Sequence, residues 1–294
     1  MSSSSSSPAG AKPPKLPLSV ILALHPANID AFLAHLHRCL QTPSGIDSVL
    51  LFVGYTSRFA ASLLTSAPAA QLQQTAPLLL AGLLASSKPD AAAKIVGAGA
   101  AARARTLGAA ESLRALSTLI TEFRTITRLW ALLGMYLSLK RLAGRELSGA
   151  GGKLGAFDRA MPWLQLSSGV ALQALENGAY LAQRGILKWE PKTIGWAYKW
   201  SARFFASCVG LELGRLLVEK VRKEGRGAEK EGAESQEMRE WREGWNSAFV
   251  RNLAWAPLTI HWSLDKGLVS EMAVGALGAI PGIIQVSKLW RDTA

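Results

Sequence analysis

The sequence predicts an all-α protein, a membrane-associated helical bundle with a basic amphipathic helix and an apolar C-terminal helix. Apolar residues recur at helical spacing along most of the chain, and Gly and Pro separate these segments, whereas alternating Val, Ile and Thr runs are missing. A content of 49% hydrophobic and 18% charged residues excludes a disordered chain. The net charge of +12 indicates an anionic partner, and the abundant Trp residues suit both a protein core and a lipid interface.

Each predicted element is bounded by turn or capping residues. Asp47 is expected to cap the second helix, and Pro89 opens a helix that leads into the longest periodic stretch. The segment 219–243 carries nearly balanced Glu and Lys or Arg, which predicts a solvated loop or a frayed helix. The predicted helices are 27–40, 49–64, 100–142, 163–183, 193–218, 245–264 and 268–290. The predicted regions are a disordered Ser/Pro tail (1–18), an N-terminal helical region that contains the amphipathic helix (19–147), a second helical region (148–218), the charged loop (219–243) and apolar C-terminal helices (244–294).

No residue pattern indicates an enzyme, a metal site or a cofactor site. Gly97 and Gly99 have dinucleotide-binding spacing, but no strand precedes them, so a small-residue helix or linker is the better interpretation. His35 and Cys39 share a helix face at metal-ligand spacing, without a third ligand. We therefore expect no catalytic residues, no metal and no cofactor. We also expect no nucleic-acid partner, because a nucleic-acid-binding domain has no reason to carry a glycine-rich apolar C-terminus.

Residues 111–130 form the basic amphipathic helix. At about 100° per residue, its main apolar side chains fall within about 140° of one another, and Arg, Thr and Ser fill the opposite side. Such a helix can lie in a membrane interface with its arginines at anionic headgroups, or it can be a bundle helix with a wet polar face. The predicted membrane-binding residues are Leu113, Leu116, Ile120, Phe123, Arg124, Ile126, Arg128 and Trp130.

Residues 268–290 form the most apolar segment of the chain. It has no charge between Met272 and Ser287, and Gly278 and Gly282 have the small-xxx-small spacing of packed membrane helices. A bilayer span and a buried glycine-rich core helix both fit this pattern. The residues assigned to the membrane anchor are Met272, Val274, Leu277, Ile280, Ile283, Ile284 and Trp290.

Three blocks of the sequence resemble the peroxisomal biogenesis factor 11 family, membrane proteins that elongate peroxisomes before division. The first block is DSVLLFVGYTSRF at 47–59, and the second is the Arg-rich helix, in which RTITRLW at 124–130 looks most like a fungal branch of the family. The third is LTIHWS at 258–263 with the glycine-rich terminal helix. The blocks follow the family's order, whereas the charged segment 219–243 and the Ser/Pro tail depart from its pattern.

This resemblance implies a peroxisomal membrane protein without a catalytic site. It also implies self-association, as a homo-oligomer, and contact with a dynamin-type fission GTPase and its adaptors. If the amphipathic helix enters one leaflet of an anionic phospholipid membrane, that leaflet expands and the membrane curves, which promotes elongation and fission of peroxisomes. The alternative is a pore-forming or metabolite-carrier protein, in which arginines of several helices line a path for anions.

Overall fold

A computed structural model describes residues 26–85, 88–149, 152, 155–227 and 236–294. Across these residues the chain is α-helical with one 3-10 segment and contains no strand, which confirms the all-α prediction. The predicted tail at 1–18 lies outside the described residues. The helices are α1 (Pro26–Cys39), α2 (Pro43–Leu64), α3 (Ala67–Leu84), α4 (Pro89–Thr127), the 3-10 segment (Arg128–Trp130), α5 (Ala131–Leu147), α6 (Ala156–Gln183), α7 (Pro191–Gly227), α8 (Gln236–Ser263) and α9 (Glu271–Asp292).

The second helix starts earlier than predicted, so the proposed cap at Asp47 is wrong. Thr42 is the N-cap residue, and its hydroxyl accepts a hydrogen bond from the backbone N–H of Gly45 at 3.0 Å. Pro43 follows in the first turn, where its missing N–H costs no helical hydrogen bond. Asp47 is therefore inside α2 and its carboxylate is available for a side-chain partner.

The long periodic stretch forms two helices instead of the predicted helix 100–142. α4 begins at Pro89 and runs without a break through Gly97 and Gly99. A Cβ atom at Gly99 would lie 2.4 Å from Cγ of Pro77, so this glycine permits close packing of α4 on α3. The 3-10 segment then separates α4 from α5.

The charged segment 219–243 is not a loop where the structure describes it. Residues 219–227 belong to α7 and residues 236–243 belong to α8, and residues 228–235 lie outside the described part. Two contacts of Glu219 stabilise the helices here. Its carboxylate pairs with Arg215 of α7 at 2.8 Å and accepts a hydrogen bond from the indole N–H of Trp241 of α8 at 2.7 Å. The charges thus pair along and between helices, which stabilises helix ends that composition alone assigns to solvent.

The helices pack in an order that differs from their order in the chain. α4 packs on α2, α2 on α9, α9 on α8, α8 on α7 and α7 on α6, while α3 lies on α4 and α5 on α6. Side chains of α6 then reach back to the 3-10 segment that follows α4: the amide of Asn177 donates to the carbonyl oxygen of Leu129 at 3.1 Å. The six helices α2, α4, α6, α7, α8 and α9 therefore surround a common space that stays open to solvent.

The closest helix contact joins α9 to α2 through three glycines. A Cβ atom at Gly275 would lie 2.6 Å from the backbone of Phe59, and one at Gly282 would lie 2.7 Å from Cα of Phe52. Gly278 faces the ring of Tyr55 in the same way. The small-residue spacing noted in the sequence therefore serves helix packing between α9 and α2.

Candidate membrane-binding face and internal polar cavity

The C-terminal half of α4 turns its apolar side chains away from the bundle. Leu119 is 65% exposed and Trp130 is 68% exposed, values that side chains of this size rarely reach in a soluble core helix. The row continues on α5 through Leu133 and Leu137, which are also exposed. We call this row the apolar stripe; it consists of Leu116, Leu119, Phe123, Ile126, Trp130, Leu133 and Leu137. Its extent marks it as an interaction surface, because contiguous exposed apolar patches of this length are uncommon on soluble monomers.

Two of the apolar residues predicted to bind the membrane are not in the apolar stripe. Ile120 is buried, with its Cγ2 atom against Gly54 of α2, and its assignment to the membrane face is corrected accordingly. Leu113 is half-buried. Both lie at the edge of the apolar arc that faces α2, so the contact with α2 covers them while the centre of the arc stays exposed.

The polar side of the same helix half faces the interior of the bundle. Ser117 and Thr125 are buried there. The guanidinium of Arg124 binds the carboxylate of Asp47 at 2.7 Å, and that of Arg128 binds Glu176 at 3.1 Å. The predicted role of these two arginines at lipid headgroups is therefore corrected: both are engaged inside the bundle.

A cavity of about 1160 Å³, open to solvent, lies between these six helices. Its wall combines charged, hydroxyl and amide side chains with an aromatic part that includes Trp255 and Trp262. Arg58 pairs with Glu271 at 2.6 Å, Arg184 pairs with Glu122, and Lys199 pairs with Asp265. The charged residues of the lining are Arg58, Arg114, Glu122, Arg124, Arg128, Glu176, Arg184, Lys199, Asp265 and Glu271.

The pairing leaves the cavity slightly basic. The hydrogen bond from Lys199 lowers the pKa of Asp265 below its ordinary value, so this carboxylate stays ionised near neutral pH. Arg114 differs from the other cations of the wall, because its guanidinium donates to the hydroxyl of Thr65 at 2.6 Å instead of to a carboxylate. Nε of Arg128 is buried and has no hydrogen-bond partner among the described residues. Arg114 is therefore the cation of the wall that is best placed to meet an anionic or polar guest.

The residues assigned to the C-terminal anchor are divided between packing and exposure. Val274 is fully buried against the bundle, whereas Ile283 is 49% exposed. Met272, Leu277, Ile280 and Ile284 have intermediate exposure. α9 is long and apolar enough to cross a membrane and about 33% of its most apolar window is buried; within the described residues, α2 and α3 together form a second candidate span with a 44° bend.

Trp290, expected as an interfacial anchor, is held by the N-terminal helix. Its indole stacks on the imidazole of His35 with ring centroids 3.7 Å apart, and Nε2 of His35 lies 3.0 Å from its carbonyl oxygen. The sulfur of Cys39 lies 3.2 Å from the hydroxyl of Thr293, on the same side. His35 and Cys39, noted in the sequence for their metal-ligand spacing, therefore contact the C-terminal end of α9. No group of His, Cys, Asp and Glu that suits a metal ion occurs in the described residues.

Sequence reasoning missed the carboxylates that receive the arginines of α4. Asp47 precedes Arg124 by 77 residues, and Glu176 follows Arg128 by 48. No local pattern reports a pair at such separations. The excess of Arg over Glu in 111–130 indicates that these arginines need an anionic partner. It does not show whether that partner is a lipid or a carboxylate of the same chain.

The Arg124–Asp47 pair predicts a stability effect. Arg124→Ala leaves the carboxylate of Asp47 without its partner in a half-buried site, so we expect a loss of about 1–3 kcal/mol in unfolding free energy. A double-mutant cycle with Asp47→Ala, followed by circular dichroism in detergent micelles, measures the coupling. We expect the double variant to lose less than the sum of the single variants. If the losses in unfolding free energy are strictly additive, the pair contributes nothing to stability. If Arg124→Ala changes vesicle affinity and leaves stability unchanged, Arg124 acts at the lipid surface and not in the bundle.

Comparison of the chain with family models, with curated proteins and with solved structures gave no match.

Proposed function

We propose that this chain is a peroxisomal membrane protein that remodels and elongates the membrane by inserting the apolar stripe of α4 and α5 into its cytosolic leaflet. The observation that carries the proposal is the orientation of α4: the centre of its apolar side is exposed, while its polar side lines the cavity, where Arg124 pairs with Asp47. Covering a face of this kind with lipid lowers the free energy, because apolar side chains are removed from water. The assignment to the peroxisome rests on the sequence resemblance.

The magnitude of the insertion energy supports this mechanism. Leu116, Leu119, Phe123, Ile126 and Trp130 would each contribute about 1.5–3 kcal/mol if fully buried, and half of that on partial immersion. Together these five side chains supply on the order of 5 kcal/mol. Since α4 is already held as a helix by α2 and α6, insertion does not require the ordering of a free peptide.

Insertion into one leaflet expands that leaflet relative to the other and favours a tubule. Self-association would concentrate the inserted helices and raise the curvature they produce. By the family resemblance, the tubule would then be cut by a dynamin-type GTPase recruited with its adaptors. The proposal includes no enzymatic reaction and no cofactor.

Reconstitution of the full chain tests this function. We expect the protein to float with vesicles of phosphatidylcholine and phosphatidylserine, to resist extraction by alkaline carbonate, and to form tubules visible by electron microscopy. A fluorescent fusion should colocalise with a peroxisomal matrix marker. A protein that stays at the bottom of the gradient would contradict the membrane function, and flotation without tubules would contradict remodelling.

The polar cavity favours a second candidate, a pore or metabolite carrier of the same membrane. Six helices surround a charged, solvent-open cavity and expose apolar side chains, an arrangement suited to a polar path through lipid. Under the remodelling proposal, vesicles tubulate without releasing a trapped organic anion. Release that Arg114→Ala lowers would favour the pore instead, because Arg114 lines the cavity without forming an ion pair among the described residues.

A further inference from the structure

The first turns of α7 carry a second exposed aromatic surface, separate from the apolar stripe. Trp196, Trp200 and Phe204 follow one another at one-turn spacing, with ring centroids 6.0 Å and 6.2 Å apart. Trp196 is 54% exposed and Trp200 is 37% exposed. We call these three residues the Trp ladder. They form a continuous row along one side of the helix, because residues four apart lie on the same face.

The indole N–H groups of the Trp ladder differ from those of Trp241 and Trp245, two packed tryptophans of the chain. Trp241 donates to Glu219 at 2.7 Å, and Trp245 donates to the carbonyl oxygen of Leu216 at 2.8 Å. Among the described residues, the indoles of Trp196 and Trp200 donate no hydrogen bond. An exposed ring with a free donor suits a boundary where the ring meets an apolar phase and the N–H meets a polar one.

Cations accompany the Trp ladder. Lys192 lies one turn before Trp196 on the same helix, and Lys188 lies in the preceding connection. The guanidinium of Arg203 lies over the ring of Trp200, 4.8 Å from its centroid. Glu190 is the acidic residue of this segment, and Asp265, from the loop before α9, is neutralised by Lys199. The surface therefore has a positive balance.

We propose that the Trp ladder docks in the headgroup layer of an anionic bilayer and forms a second membrane contact in addition to the apolar stripe. Trp is favoured at this depth because its ring is apolar and its N–H is polar, and basic residues beside it meet lipid phosphates. The alternation of free indoles with Lys and Arg fits a lipid surface better than a protein interface core, from which Lys is depleted. This inference rests on the proposed membrane function and identifies a further residue set for it.

Quenching by brominated lipids in the full-length protein tests the docking. The vesicles contain phosphatidylcholine and phosphatidylserine, with bromine either near the glycerol end or near the methyl end of the acyl chains. We expect the shallow bromines to quench the Trp196 and Trp200 component about twofold more than the deep ones. That component is the difference between the wild type and Trp196→Phe/Trp200→Phe. The matched control, Trp241→Phe/Trp245→Phe, removes two packed tryptophans and should leave the shallow-to-deep difference intact.

The charge requirement gives an independent measurement. Lys188→Gln/Lys192→Gln should weaken binding to phosphatidylserine vesicles by about 5-fold per residue and should leave binding to pure phosphatidylcholine unchanged. The thermal unfolding of each variant shows whether its fold is intact.

The outcomes separate this inference from the proposed function. If the wild type floats with vesicles but the Trp196 and Trp200 component is quenched by aqueous acrylamide and by neither brominated lipid, the docking is wrong and the membrane function stands. If the component is protected from both quenchers, a protein surface covers the Trp ladder, and the lipid assignment is wrong. If the wild type does not float, both proposals fail.

Discussion

Leu119→Asp/Phe123→Asp is expected to abolish binding of the full-length protein to anionic vesicles. Both side chains project from the exposed centre of the apolar stripe, so the change removes two inserted groups and places two carboxylates at lipid depth. We expect a loss of about 4 kcal/mol, or about a thousandfold in affinity. Flotation measures the affinity, and electron microscopy shows whether tubules are lost with it.

The matched control is Thr118→Asp/Thr121→Asp. It adds the same two charges to exposed positions of α4 that line the polar cavity. We expect vesicle binding within a factor of about three of the wild type, because distant exposed charges are largely screened. Since none of the four positions is buried, circular dichroism should report an unchanged helix content for both variants. Equal losses in the two double variants would mean that net charge, and not the apolar stripe, controls binding.

Gly275→Ala/Gly282→Ala is expected to destabilise the bundle by about 4 kcal/mol. Each new methyl group would meet the α2 backbone, at Phe59 or at Phe52, and a backbone cannot move aside as a flexible side chain can. α9 would have to separate from α2, which would uncover Leu51 and Val274, both buried in the core. Thermal unfolding in detergent micelles, followed by circular dichroism, measures the effect.

Gly210→Ala/Gly214→Ala provides the control for the glycine effect. Both glycines lie inside α7, and a Cβ atom at either position would have nothing within 4 Å. Since alanine is favoured over glycine in a helix interior, we expect this variant to be equally stable or more stable, by up to about 1 kcal/mol per site. If the α9 variant unfolds at the same temperature as this control, the glycine contacts between α9 and α2 do not hold the bundle together.

The sequence predicted helix positions best where local signals decide them. The segment 27–40 closely matches α1, since periodicity and the following Pro and Gly mark its limits. At 219–243 the same signals left a solvated loop and a frayed helix open; the described residues are helical, and the pairing of Glu219 with Arg215 and Trp241 stabilises these helix ends. The signals failed at Asp47, because a carboxylate that caps a helix and one that pairs with a distant Arg look alike in one dimension.

Periodicity alone established that residues 111–130 have an apolar and a polar side, since the angle between successive side chains is set by local helix geometry. It could not establish which side faces the bundle. The orientation depended on residues far away in the chain. The side chain of Ile120 packs against Gly54, while Asp47 and Glu176 form ion pairs with Arg124 and Arg128. The tertiary structure therefore turned the polar side toward the cavity and left Phe123 outside, because partly buried guanidinium groups are stabilised by carboxylate partners, which the packing of the bundle supplies from α2 and α6.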